Sequence, residues 1–169
     1  MICWLIWATT PCLGVRIMSL TENIKRGEGT KEYQRHIGTF DNGMFLRYKD
    51  SLGYWTIGYG HLIKPNESYT RITEDKAEEF LMMDIEQAKR GAIAIHGPMF
   101  HKVSPRIQNL LIEMVFQLGE DTARTFRRFN AALAEGDYDQ AARELVSSRW
   151  YKQTPNRVKG HIDTLINQR

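Results

Sequence analysis

The chain has 169 residues, 42% hydrophobic and 25% charged; that composition excludes overall disorder, and the length fits one domain, or one domain with a subordinate lobe. Its net charge of +3 comes with no arginine-rich helix and no interleaved aromatic platform, so nothing recommends nucleic acid as a partner. The two cysteines, Cys3 and Cys12, both lie within the first twelve residues, which leaves the body a disulfide-free fold with no metal-ligand spacing. Residues 86–169 hold 13 Lys/Arg against 9 Asp/Glu, and residues 1–85 hold 10 against 11. A bias that mild suits an anionic polymer, and equally suits nothing more than solubility.

Residues 1–17 form an apolar extension, uncharged until Arg16 and interrupted by Pro11. The run is short for a transmembrane span and lacks a basic n-region, so stable membrane insertion is not expected. Ser19 or Thr21 caps a short helix through Gly27, with Leu20, Ile24 and the stem of Lys25 on one side. Glu28 then stands between Gly27 and Gly29, where the helix must end. The helix dipole disfavours a carboxylate there by up to about 1 kcal/mol. A residue set against its local preference is either a functional group or an exposed glutamate in a turn.

Residues 30–47 mix charge with turn formers, and Asp41-Asn42-Gly43 is a strong turn signal. Tyr48 to His61 is rich in β-formers and broken by Gly53, which reads as a β-hairpin. Gly58 and Gly60 weaken the returning strand and suggest a bulge or a close approach of backbone to a ligand. Asp50 sits at the mouth of the turn, Thr56 is expected to face it across the hairpin, and His61 closes the segment. Asp50 is thereby either the acceptor of an Asx-turn among packing aromatics or part of a catalytic site.

Thr73 caps a long helix with Glu74 and Asp75 in its first turn. Its buried stripe is Ala77, Phe80, Leu81, Ile85 and Ala88, and Met82 and Met83 are read as packing. Beyond Ser104-Pro105 everything reads as helix. The first of these buries Ile107, Leu110, Leu111, Met114, Val115 and Leu118 and ends at Gly119. A second runs from Phe126 to Glu135. A third follows the capping-box pattern Asp137 to Gln140, burying Ala141, Ala142, Leu145 and Val146. The last opens at Thr154-Pro155 and carries Val158, Ile162, Leu165 and Ile166. The expected organisation is an N-terminal extension (1–17) and a single α+β domain (18–169). That domain comprises an α/β lobe over 18–72, a linking helix over 73–95 and a helical lobe over 96–169, with a ligand cleft between the lobes.

Four separated stretches then carry a specific resemblance: Arg26-Gly-Glu-Gly29, Tyr48 to His61, Met114-Val-Phe-Gln-Leu-Gly-Glu120 and Ser148-Arg-Trp-Tyr-Lys-Gln-Thr-Pro-Asn-Arg157. In that order they resemble the T-even bacteriophage lysozymes, endolysins of glycoside hydrolase family 24. The resemblance implies a lysozyme-like fold and a muramidase that cuts peptidoglycan. It implies a cofactor-free, metal-free monomer held in the host cytoplasm until lysis and acting afterwards on the wall from the periplasm. Glu28 would be the general acid, Asp50 the carboxylate that steadies positive charge and orients the attacking water, and Thr56 the residue holding that water. Arg157 would pair with Glu28, and His61 with Asp84 in a structural ion pair. Phe116 and Gln117 would lie on the cleft face of the helical lobe, Gly60 would approach the substrate, and Trp150 and Tyr151 would be core. The sequence departs from the family pattern in an extra segment within Lys31 to Met44, and in Gly27, where the family commonly has an acid.

Overall fold

The computed structural model describes residues 20–50 and 53–168. The apolar extension, the Ser19 cap and the hairpin residues Ser51 and Leu52 lie outside those described residues. Helix α1 (Leu20–Glu28) buries Ile24, packs Leu20 on the core and stops where Gly29 takes φ +109°. The segment with no predicted element contains a second helix, α2 (Lys31–His36), capped by Thr30, whose hydroxyl accepts from the Tyr33 amide at 3.3 Å. No apolar period announces α2. One buried polar side chain anchors it: Gln34 donates from Nε2 to the carbonyls of Gly29 (3.2 Å) and Gly58 (2.9 Å).

Strands β1 (Phe40–Asp41) and β2 (Met44–Leu46) form a hairpin around Asn42 (φ 49°) and Gly43 (φ 75°). Positive φ at both central residues is what a tight hairpin turn requires, and Asn-Gly supplies it at least cost. Three further strands follow in sequence, β3 (Tyr48–Lys49), β4 (Trp55–Ile57) and β5 (His61–Leu62), and they pair antiparallel in the order β3-β4-β5. The expected two-stranded hairpin is therefore three-stranded. Gly58 (φ 64°) and Gly60 (φ 89°) do not form a bulge but turn the chain between β4 and β5. Strand β6 (Arg71–Thr73) pairs with β2 to complete the other sheet, β1-β2-β6.

Thr73 caps α3 (Glu74–His96), its hydroxyl accepting from the Lys76 amide at 3.3 Å. The predicted stripe of Ala77, Phe80, Leu81, Ile85 and Ala88 is buried, whereas Met82 and Met83 are 51% and 55% exposed. They lie between Leu81 and Ile85, at positions a 3.6-residue helix turns well away from that stripe. A 3₁₀ turn (Gly97–His101) leads to α4 (Pro105–Leu118), capped by Ser104 and closed by Gly119. Helices α3 and α4 pack so closely that a Cβ on Gly91 would stand 2.9 Å from Val115 Cγ1.

Two short helices, α5 (Glu120–Arg124) and, further on, α8 (Arg149–Gln153), carry too few apolar residues for a periodic signal. Between them lie α6 (Arg127–Glu135) and α7 (Tyr138–Val146), and α9 (Pro155–Ile166) closes the described chain. Asp137 caps α7 through the Gln140 amide at 2.8 Å. The stripe of α7 ends at Leu145, since Val146 is 50% exposed, and Ile166 of α9 is 41% exposed. The centre of the helical lobe is filled by Trp150, Phe129, Leu133, Leu145, Val158 and Leu165. Each of these large side chains contributes roughly 1.5–3 kcal/mol by leaving water. The architecture is α+β: a small lobe of two three-stranded sheets, one long helix, and a helical lobe.

Candidate active site

The three-stranded sheet carries Asp50 and Thr56 on one face. Tyr48 pairs with Thr56 and Lys49 with Trp55, so Thr56 opposes Tyr48 rather than Asp50. Asp50, two residues beyond Tyr48, is its diagonal neighbour on the same face. The Asp50 carboxylate accepts from the Tyr54 amide at 2.9 Å, and the Asp50 amide donates to the Tyr54 carbonyl at 2.9 Å. The Asx-type turn is present, and its bonds fix where the carboxylate points. Thr56 is buried, and its hydroxyl donates to the Tyr54 carbonyl at a long 3.4 Å.

Glu28 reaches the site from the last residue of α1. Arg157, from the first turn of α9, donates from Nη1 to Glu28 Oε1 at 2.9 Å, with side-chain exposures of 15% and 23%. Two glycines set this pair. A Cβ on Gly27 would lie 1.7 Å from Arg157 Nη2, so the guanidinium occupies the space a side chain at position 27 would need. A Cβ on Gly60 would come within 3.2 Å of Glu28 Oε2, so the glycine turn after β4 presents bare backbone to the carboxylate. The approach expected at Gly60 is to a ligand; what the backbone there lies against in the structure is Glu28.

Tyr48 lies in the field of both carboxylates. Burial first, and then the negative charges of Glu28 and Asp50, push its phenol up to about 12, so it stays a neutral hydrogen-bond donor at any working pH. Glu28, Tyr48, Asp50 and Thr56 thereby share one neighbourhood. Tyr48 and Gln34 are the site residues the sequence reading passed over. Tyr48 looked like one β-former among many, and Gln34 like one polar residue in a charged segment. Only their burial beside Glu28 and Gly58 distinguishes them.

His61 is buried, with Nδ1 at 2.8 Å from Asp84 Oδ2, Nε2 at 3.5 Å from Glu67 Oε2, and its ring stacked on Phe80 at 4.1 Å. Burial opposes charging the ring, but the Asp84 hydrogen bond and the charges of Asp84 and Glu67 outweigh it, so its pKa lies above the ordinary value. A cavity of about 290 Å³ runs across the lobe junction, lined by Gly60, His61, Asp84, Phe116 and Glu120 among others. Phe116 faces that cavity. Gln117 turns into the helical lobe, where its Oε1 accepts from the indole of buried Trp150 at 2.7 Å and its Nε2 donates to Thr154 at 3.5 Å. Tyr151 packs part-buried on the core.

A family model described as phage lysozyme matches residues 42–169. The chain belongs to the phage lysozyme family. Asp50, Thr56, His61, Asp84, Phe116, Gln117 and Arg157 fall inside the matched stretch, and Glu28 precedes it. Among the similar proteins, probable T4-type lysozyme 1 of Dictyostelium discoideum is 28% identical, aligned over 75% of this chain and 89% of its own length. An endolysin of Acyrthosiphon pisum secondary endosymbiont phage 1 is 30% identical over 72% of this chain and 79% of its own. The pre-baseplate central spike protein Gp5 of Enterobacteria phage T4 is 30% identical over 70% of this chain, but only 25% of that longer protein is covered. For this phage lysozyme family member, the geometry at residue 28 is the part the family match leaves to the structure.

Proposed function

We propose that this protein is a phage endolysin, a muramidase that hydrolyses the β-1,4 bond between N-acetylmuramic acid and N-acetylglucosamine. The coarser class, a peptidoglycan-hydrolysing glycosidase, follows from membership of the phage lysozyme family. The observation that carries the finer reading is Glu28 locked to Arg157 and set against Gly60 in the β4–β5 turn of the sheet that leads to Asp50 and carries Thr56. In this reading Glu28 delivers a proton to the leaving glycosidic oxygen. Asp50, anchored by the Tyr54 amide, steadies the positive charge at the anomeric carbon and orients a water held with Thr56. Tyr48 stays protonated near the carboxylates, and Arg157 fixes the direction of the acid. Phe116 supplies apolar surface on the opposite wall for a sugar ring.

The protein acts as a monomer, without cofactor or metal, from the host cytoplasm before lysis and on the wall from the periplasm afterwards. Among the described residues, no helix is long and apolar enough to cross a membrane. A lytic transglycosylase using Glu28 alone is the competing chemistry, and the placement of Asp50 and Thr56 favours water as nucleophile. Digestion of purified sacculi in ¹⁸O-labelled water separates the two. Reducing muramic ends carrying one ¹⁸O are expected, and 1,6-anhydromuramic ends would overturn the assignment.

A further inference from the structure

Behind the Glu28–Arg157 pair lies a second cavity of about 820 Å³, walled by α1, α4 and α9 and larger than the one lined by His61 and Phe116, which none of Glu28, Asp50 and Thr56 lines. Helix α1 presents Asn23 and Arg26 to it, α4 presents Arg106 and Glu113, and α9 presents Arg157 and His161. The remaining wall mixes amide and hydroxyl side chains with Leu110, Pro155 and two glycines. Arg26 and Arg106 are exposed at the rim, and neither stands in an ion pair among the described residues. Arg157 belongs to both sides: its Nη1 holds Glu28, while its Nη2 lies over the bare Cα of Gly27, itself part of the cavity wall.

The floor carries an unspent polar atom. His161 is only 7% exposed, and its buried Nε2 has no hydrogen-bond partner, the nearest acid oxygen being Glu113 Oε2 at 3.6 Å. Glu113 is also 7% exposed and accepts from Asn23 Nδ2 at 3.4 Å. Buried polar atoms without partners are rare; this one is turned to Glu113, while the rest of the His161 ring lines the cavity. The volume falls within the range of small-molecule sites.

We propose that this rear cavity binds a small polyanion, a molecule with two or more carboxylate or phosphate groups, held by Arg26 and Arg106 at the rim and by Arg157 and His161 at the floor. Arginine suits planar, bidentate recognition of such groups. The basic groups facing the ligand are Arg26 on α1, Arg106 on α4 and Arg157 on α9. Burial, and then the charge of Arg157, push His161 down to about 4, so its ring is neutral and donates or accepts according to tautomer. Glu113 is the acid in the wall. Burial raises it to about 7 against the opposing pull of Arg157 and the Asn23 bond. Below that pH it is a neutral donor, and above it a carboxylate that repels the ligand. Affinity should therefore fall as pH rises through about 7. Because the same guanidinium serves Glu28, occupancy should also slow hydrolysis; this coupling rests on the reading of Glu28 as the acid.

Isothermal titration of the full chain with pyrophosphate and with citrate tests the site, the two probes separating phosphate from carboxylate recognition. Saturable one-to-one binding of either probe is expected, weaker by at least about tenfold in Arg26→Ala/Arg106→Ala and weaker at pH 8 than at pH 6. In Glu113→Gln that fall should vanish, leaving only the rise in affinity that the probes' own deprotonation between those pH values produces. Binding should persist in Glu28→Gln, with the His161 ring resonances moving on titration, so the site is tested whether or not Glu28 is the acid. Absence of saturation by both probes, or equal affinity in the double arginine variant, would overturn the site. A turbidity rate unchanged at saturating probe would overturn the coupling.

Discussion

Gly27→Ala sets two physical effects against each other. Position 27 is in the last turn of α1, where exchanging glycine for alanine favours helix by roughly 0.5–1 kcal/mol. The added Cβ, however, would stand 1.7 Å from Arg157 Nη2, 2.3 Å from Cζ and 2.5 Å from Nε. No rotamer adjustment of a few tenths of an ångström relieves three such contacts, so the guanidinium must leave. With it goes a charge-assisted hydrogen bond between side chains only 15% and 23% exposed, worth about 1.5–3 kcal/mol. If Arg157 directs Glu28 in the transition state, that loss corresponds to a rate roughly 10- to 100-fold lower. The net change in stability should stay within about 2 kcal/mol. Lysis of outer-membrane-permeabilised cells followed by turbidity, with thermal unfolding alongside, measures both. A variant that keeps full activity and gains a higher Tm would refute the claim that Gly27 makes room for Arg157.

Asp84→Asn should lower Tm at pH 5–6 by several degrees, from the loss of about 2 kcal/mol in a hydrogen bond to a charged ring, with hydrolysis little changed. Since the folded pKa of His61 is raised, its stabilisation is fully present below the unfolded value and fades as pH climbs through the folded one. The Tm gap between the two proteins should accordingly close at alkaline pH, and a gap that widens there would contradict the ion pair. Glu113, raised to about 7 by burial, also binds more protons folded than unfolded, so it too costs stability as pH rises from its unfolded value toward 7. Glu113→Gln should consequently be more stable than the parent at pH 8, by an amount on the order of 3 kcal/mol at most, and nearly equal at pH 4; denaturant unfolding at the two pH values checks this. If the Tyr48 hydroxyl donates to a carboxylate in the transition state, Tyr48→Phe should fold normally and lose about tenfold in rate, the worth of one hydrogen bond of roughly 1.4 kcal/mol. An unaltered rate would remove Tyr48 from the site.

What the sequence made legible is local chemistry. Thr73, Ser104 and Asp137 announce helix starts because each side chain satisfies an amide of its own first turn, and Gly119 and Gly136 end helices within the same few residues. What it hid depends on residues far apart in the chain. Helix α2 has no periodic stripe and is anchored through Gln34 to Gly29 and to the distant Gly58. The third strand was masked by two glycines that look like strand-breakers and prove to be its turn. Glu28 was visible as a carboxylate set against its helix dipole. That Gly27 and Gly60 shape its surroundings, one from its own helix and one from the sheet, is a matter of contact and not of propensity. Glu113 and His161 read as ordinary polar residues on helix faces, and their burial is set by how α1, α4 and α9 meet.

The central claim is that Glu28, which precedes the stretch matched by the family model, is the group that delivers the proton. The direct measurement is the rate at which purified Glu28→Gln protein releases soluble fragments from sacculi, taken beside its thermal unfolding curve. The account predicts a fall of about 10²- to 10⁴-fold, the usual contribution of a general acid, with Tm within a few degrees of the parent. A rate within a factor of about two of the parent, in a protein that unfolds normally, would contradict it.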